Sequence, residues 1–275
     1  MRFAFTTLAC PDWTTEQVAE TAQRLGYNGV ELRLLDGAVL DPVAGLDKVV
    51  LAVEVIRRHG VDVCALDTSC TFNHADPAER ARQVAELRQW ISLAQEVRVP
   101  ILRVFGGSGN SNDKASQQES TGWVTSALRE VAAQAERTGV TVALETHDAF
   151  SSARRVGRIL DDIASPNIGA LWDSHHPYRM GEDADVVVGA LGARIVHVHV
   201  KDARRVAPHS NEWQLLPLGE GEVPVKAQLA ALSRFGYKGY VSVEWEKKWH
   251  PEIAEPEVAL PQHIAWLKQA TGTAT

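Results

Sequence analysis

One unit recurs along this chain and restricts what it can fold into: a polar helical stretch that closes on glycine, followed by a short apolar, β-branched run. It occurs at Leu25-Gly26 before Gly29–Leu34, at His59-Gly60 before Val61–Leu66, and at Thr138-Gly139 before Val140–Leu144. It returns at Leu191-Gly192 before Ile195–Val200 and at Phe235-Gly236 before Tyr240–Val243. Glycine suits the left-handed position that ends a helix. With the runs that lack this glycine, the pattern predicts strands at Phe3–Leu8, Gly29–Leu34, Val61–Asp67, Ile101–Phe105, Thr141–Glu145, Ile168–Asp173, Ile195–Val200 and Tyr240–Glu244. Helical segments lie between them. Thr14 with Gln17, and Asp76 with Glu79, read as capping boxes, and Ser151 or Ser152 heads a helix running to about Ala164. Strands alternating with helices pair in parallel. Eight such units in 275 residues predict a single (β/α)8 TIM barrel, one domain spanning residues 1–275. The competing doubly wound dinucleotide fold asks for a glycine-rich turn after the first strand, and Leu8-Ala9-Cys10-Pro11 offers none.

Composition removes other classes. No apolar run approaches the length of a membrane span. A net charge of −7 argues against a nucleic-acid partner. The apolar run from Phe3 to Ala9 before Cys10 is too short for a lipoprotein signal and reads as the first strand. Three cysteines without a CxxC pair fit a reducing cytoplasmic setting better than a disulfide framework.

In a barrel of this kind the chemistry sits at the carboxyl ends of the strands. Side chains alternate along a strand. In the seventh strand, Val196, Val198 and Val200 then face the helices, while His197, His199 and Lys201 face the axis. The same parity turns Glu145, Asp173 and Glu244 inward. Four consecutive strands thus aim Glu145, Asp173, His199 and Glu244 at one mouth. Three carboxylates around one imidazole need a cation. An oxygen-rich set with one nitrogen favours Mn²⁺, with Mg²⁺, Co²⁺ and Zn²⁺ as alternatives. Glu31 and Arg33 alternate with Val30, Leu32 and Leu34, so each is either an interior ion pair or a substrate contact; Arg103 reads likewise. Lys201, one pleat beyond His199, is a further candidate for holding substrate. The loop Asp202–Glu222 carries Arg204, Arg205, His209 and Trp213, and the loop Glu246–Glu257 carries Lys247, Lys248, Trp249 and His250. Basic and aromatic residues over the mouth, Trp249 among them, suit a lid that stacks on a sugar ring and excludes water. The alternatives are a solvated loop or a contact between subunits of a homo-oligomer.

Several segments in this order resemble the xylose isomerase-like TIM barrels of sugar phosphate isomerases and epimerases. They are Gly29-Val30-Glu31-Leu32, Leu144-Glu145, Leu171-Trp172-Asp173-Ser174-His175-His176, His197-Val198-His199-Val200-Lys201-Asp202 and Gly239-Tyr240-Val241-Ser242-Val243-Glu244. The resemblance implies that Glu145, Asp173, His199 and Glu244 bind the metal and that Glu145 and Glu244 form the acid/base pair on opposite sides of the substrate. It also implies that His176 and Arg205 contact substrate oxygens. The activity so implied is a divalent-metal-dependent isomerase or epimerase of a keto-sugar or related polyol ketone, working through an enediolate. A dehydratase of the inosose type is the alternative on the same scaffold. An endonuclease IV-like nuclease ranks last, because it asks for more histidines and a basic face.

Overall fold

A computed structural model describes residues 1–42, 45–109, 114–208 and 210–273. The eight anticipated strands are present: β1 (Arg2–Thr6), β2 (Gly29–Leu32), β3 (Asp62–Asp67), β4 (Ile101–Val104), β5 (Thr141–Glu145), β6 (Ile168–Asp173), β7 (Ile195–Val200) and β8 (Tyr240–Val243). They pair in parallel and close into a barrel, with β1 hydrogen-bonded to both β2 and β8. Helices α1 (Thr15–Leu25), α2 (Leu46–Arg58), α3 (Pro77–Glu96), α4 (Lys114–Thr138), α5 (Ala153–Asp161), α6 (Ala184–Leu191), α7 (Val225–Phe235) and α8 (Pro256–Thr271) link and flank the strands. Among the described residues no helix is long and apolar enough to cross a membrane.

Local signals explain the boundaries. Thr14 and Gln17 close their reciprocal box, and α1 ends on Gly26 at φ 75°. Asp76 caps α3 through the Ala78 N–H, but Glu79 turns to Arg82 and Gln83, so that second box stays open. Ser152, not Ser151, caps α5, which stops at Asp161. β1 ends sooner than the apolar run suggested, because the Thr6 hydroxyl caps a 3-10 turn over Thr7–Ala9.

The barrel interior is layered. Its floor is Ala4, Cys64 and Tyr240; above them lie Ala65, Ile101, Ala143 and Leu171. Two glycines make the room for this: a Cβ on Gly29 would meet the Tyr240 ring at 2.7 Å, and one on Gly169 would meet Val196 at 2.7 Å. Val196 therefore does not face the helices as strict alternation requires. The β6–β7 register shifts between Ala170 and Leu171, which inserts one extra residue in β7. At such a bulge two neighbouring side chains take the same face. Val196 packs on the interior layer while Ile195, Val198 and Val200 join the core beneath the helices. A second shift, between Val30 and Glu31, turns Cys64 and Ala65 both inward.

The loop after β7 is partly ordered as an antiparallel hairpin, Asp202–Arg205 with Trp213–Leu216. Asp202 organises it by accepting the backbone N–H groups of Ala203, Gly219, Gly221 and Val223 at 2.8–3.1 Å. His209 lies outside the described residues.

Candidate metal centre

Above the apolar layers the barrel axis becomes densely charged. Glu145 ends β5, Asp173 ends β6, His199 sits near the end of β7 and Glu244 directly follows β8. One ligand atom from each lies within 4.8 Å of every other. His199 Nδ1 is 3.4 Å from Glu145 Oε1 and 3.4 Å from Glu244 Oε1. Both oxygens of Glu145 and Oδ2 of Asp173 are buried without a hydrogen bond. Their neighbours include His199 Nδ1 beside Glu145 Oε1, Arg103 Nε at 3.4 Å from Glu145 Oε2 and Lys201 Nζ at 3.3 Å from Asp173 Oδ2. Carboxylate oxygens withdrawn from water and left unbonded are costly. A hard divalent cation fits these donors, since it satisfies several oxygens and one imidazole nitrogen at once.

The surroundings set the charge states. Burial pushes carboxyl groups up, yet Lys201 and His199 overcome it and hold Glu244 well below the ordinary range. Burial opposes ionisation of Glu145 too, and His199 and Arg103 bring it below its ordinary value. For Asp173 burial outweighs Lys201, and the carboxyl rises to about 6. Lys201 is itself buried, with Nζ 2.5 Å from Glu244 Oε2 and 2.6 Å from Glu246 Oε1; Asp173 and Glu244 keep it charged against the desolvation. Asp67, at the end of β3, is a participant the sequence reading passed over. Burial, with Glu31 nearby, pushes it well above the ordinary range, and its Oδ2 lies 3.4 Å from Arg103 Nη2. Its position in β3, two residues beyond the inward Ala65, was the available signal.

The remaining candidates separate. Glu31 makes the interior pair, with imidazoles: its oxygens lie 2.9 Å from His199 Nε2 and 3.1 Å from His197 Nε2, and it has no exposed surface. That geometry leaves it no free face toward a substrate. Arg33 donates to the Asp67 carbonyl and the Ser69 hydroxyl. Lys201 stays with the four metal candidates, and His176 stands at their edge, with Nε2 3.9 Å from Asp173 Oδ1. Both ring nitrogens of His176 are buried without a partner. Burial and Lys201 keep that ring neutral, its pKa well below the ordinary value. The backbone N–H groups of His175 and His176 fix Asp173 by donating to Oδ1 at 2.8 Å. Arg205 is not brought to this group. It donates to the Ser210 carbonyl and stacks over Trp213 at 4.7 Å. Trp249 is half exposed, on the turn after Glu246.

A continuous row of ring contacts, mostly edge-on or tilted, leads from Arg103 to the hairpin. Arg103 lies over Phe105 at 3.9 Å, Phe105 meets His147 at 4.7 Å, and His147 meets His176 at 4.4 Å. His176 faces His175 at 5.7 Å, and His175 meets Trp213 of the hairpin at 4.7 Å.

Fold and site together define a (β/α)8 barrel whose mouth carries donors suited to one divalent cation. The chain belongs to the family described as the xylose isomerase-like TIM barrel, whose model matches residues 19–270. An inosose isomerase of Bacillus velezensis is 25% identical over 244 residues, 83% of this chain and 82% of that protein. An L-ribulose 3-epimerase of Mesorhizobium japonicum is 24% identical over 236 residues, 83% of this chain and 74% of that protein. Among solved structures, the IOLI protein with a binding zinc atom superposes with a TM-score of 0.82 at 20% identity, over 100% of this chain and 99% of that one.

Proposed function

We propose that this protein is a divalent-metal-dependent isomerase or epimerase of a keto-sugar or related polyol ketone, built as one domain. The observation that carries the reading is the convergence of Glu145, Asp173, His199 and Glu244, with buried carboxylate oxygens that have no hydrogen bond, in a barrel of this family. Relatives named for inosose isomerisation and ribulose epimerisation support the substrate class. These four residues would hold the cation, and Mn²⁺ is the favoured ion for a set of three carboxylates and one nitrogen. The cation supplies Lewis-acid polarisation of the substrate ketone. The chain's own groups do the rest. Glu145 and Glu244 remain deprotonated at rest, Glu145 with Oε2 beside Arg103 and Glu244 with Oε2 beside Lys201. One takes the proton from the carbon next to the ketone, giving the enediolate, and the other returns a proton. His176, neutral and with both nitrogens unsatisfied, and Lys201, at the carboxylates, would hold substrate oxygens. Trp249 would offer an aromatic face from the exposed turn, while Arg205, held over Trp213, stays outside the group. Three buried free cysteines suit a reducing compartment.

The test is metal analysis followed by exchange in D₂O with keto-sugars and inososes. One divalent ion per chain, and deuterium entering beside the carbonyl without loss of water, is the expected result. Release of water with an absorbing enone transfers the protein to the dehydratases. A metal-loaded protein that exchanges no proton in any of these ketones overturns the reading.

A further inference from the structure

We propose that Glu31 is a positioning residue that fixes the ring tautomer of His199, so that Nδ1 is the nitrogen offered to the cation. The inference rests on the cation site proposed above and concerns a residue outside its ligand set. Glu31 projects from β2 across the barrel to β7. Oε1 meets His199 Nε2 at 2.9 Å and Oε2 meets His197 Nε2 at 3.1 Å, all three side chains fully buried. An ionised carboxylate can only accept hydrogen bonds. Each Nε2 must therefore carry a proton, so a cation that takes the place of the other ring proton meets the His199 lone pair on Nδ1, the atom 3.4 Å from both Glu145 and Glu244. The nitrogen not engaged by an orienting carboxylate is the one free to ligate.

Two further features make this a clamp rather than a chance pair. His197 occupies the second oxygen of Glu31, so the carboxylate cannot swing away from His199; the two imidazoles stand 5.7 Å apart at 78°. Among the described residues His197 Nδ1 is buried without a hydrogen bond, and the ring's hydrogen bond is the one from Nε2 to Glu31. The two register shifts of the barrel fall at Val30/Glu31 and Ala170/Leu171, one beside Glu31 and the other beside His197, the partner of Leu171. Bulges at such positions re-aim side chains.

Glu31→Gln keeps the shape but offers one acceptor and one donor, so only one ring keeps its Nε2–H hydrogen bond. Co²⁺ titration by calorimetry and by its visible absorption band is the measurement. The expected result is about 10- to 100-fold weaker Co²⁺ binding with a changed band. A wild type that takes up no Co²⁺ overturns the cation site and the clamp with it. A wild type that binds Co²⁺ beside a variant of equal affinity and identical band overturns the clamp alone. Should Glu31→Gln fail to fold, ring-nitrogen NMR of the Zn²⁺-loaded wild type decides. His199 with a protonated Nε2 and a metal-shifted Nδ1 supports the clamp, and the reverse pattern overturns it.

Discussion

The two ends of the barrel interior are made of opposite materials. The floor and middle layers use Ala4, Cys64, Tyr240, Ala65, Ile101, Ala143 and Leu171, which fill space and leave almost no polar atom to satisfy. The mouth carries Glu31, Asp67, Arg103, Glu145, Asp173, His197, His199, Lys201 and Glu244, all buried, several with oxygens or nitrogens that bond to nothing. Apolar burial stabilises at roughly 25 cal/mol per Å². Buried charge with incomplete partners does not, and proteins keep it where it has a use. The lower layers hold the strands in register; the upper layer spends part of that stability on chemistry.

That contrast can be broken by experiment. The largest expected effect is at the mouth. Glu244→Gln lowers the rate of proton exchange into a ketose substrate by about 10²–10⁴-fold, measured in D₂O by NMR, with far-UV circular dichroism unchanged. A Glu244→Gln protein as active as the wild type would remove Glu244 from the acid/base pair. Chelation is expected to abolish exchange and to lower the melting temperature. At about 100 Kd of free ion the bound cation contributes about 2.7 kcal/mol, and re-adding the ion restores both. At the other end the effect falls on stability and spares activity. Leu171→Ala costs about 2–5 kcal/mol in urea unfolding, while exchange by the folded fraction stays close to wild type. Trp249→Ala, on the exposed turn, raises KM a few-fold, on the order of 1 kcal/mol or less, and leaves kcat and stability nearly unchanged in steady-state assays and melts.

The last test is a pH control outside both ends. His263 is buried against Trp245 and accepts from the Leu218 N–H through Nδ1, and burial lowers its pKa to about 3. The unfolded chain protonates this group near pH ~6.5. Between there and about 3 the unfolded state binds more protons, so stability falls as pH falls. His263→Asn, which keeps an acceptor for Leu218, flattens the acid side of the stability curve by at most about 1.4 kcal/mol per pH unit. Urea midpoints at a series of pH values measure it.

The eight strands and the convergence of Glu145, Asp173, His199 and Glu244 were legible because a strand's period of two is a local property. Parity along β5, β6, β7 and β8 needs no knowledge of neighbours. What the sequence hid was cross-barrel. Glu31 meets His199 across 168 positions of chain, and nothing near Glu31 announces an imidazole partner. Val196 was assigned to the wrong face because a bulge is a property of two strands in register. Asp67 obeyed the parity rule and was simply not read. The hairpin after β7 depends on Asp202 collecting four backbone N–H groups, three of them from residues 219–223, which no pairwise motif encodes. The family resemblance implied a substrate contact for Arg205, but that hairpin sets its guanidinium over Trp213.

The closure of the barrel has a consequence in time. β1 bonds to β8, with Phe3 opposite Val241, so the earliest strand of the chain waits for the last before its ladder is complete. Without β8 the sheet is open, and β1 and β7 are its unpaired edges. Contacts this distant in sequence slow folding and leave strand edges exposed meanwhile. The ligand set inherits that order. Glu145, Asp173 and His199 are in hand before Glu244 arrives on the closing strand, so the cation site and the barrel are finished by the same event.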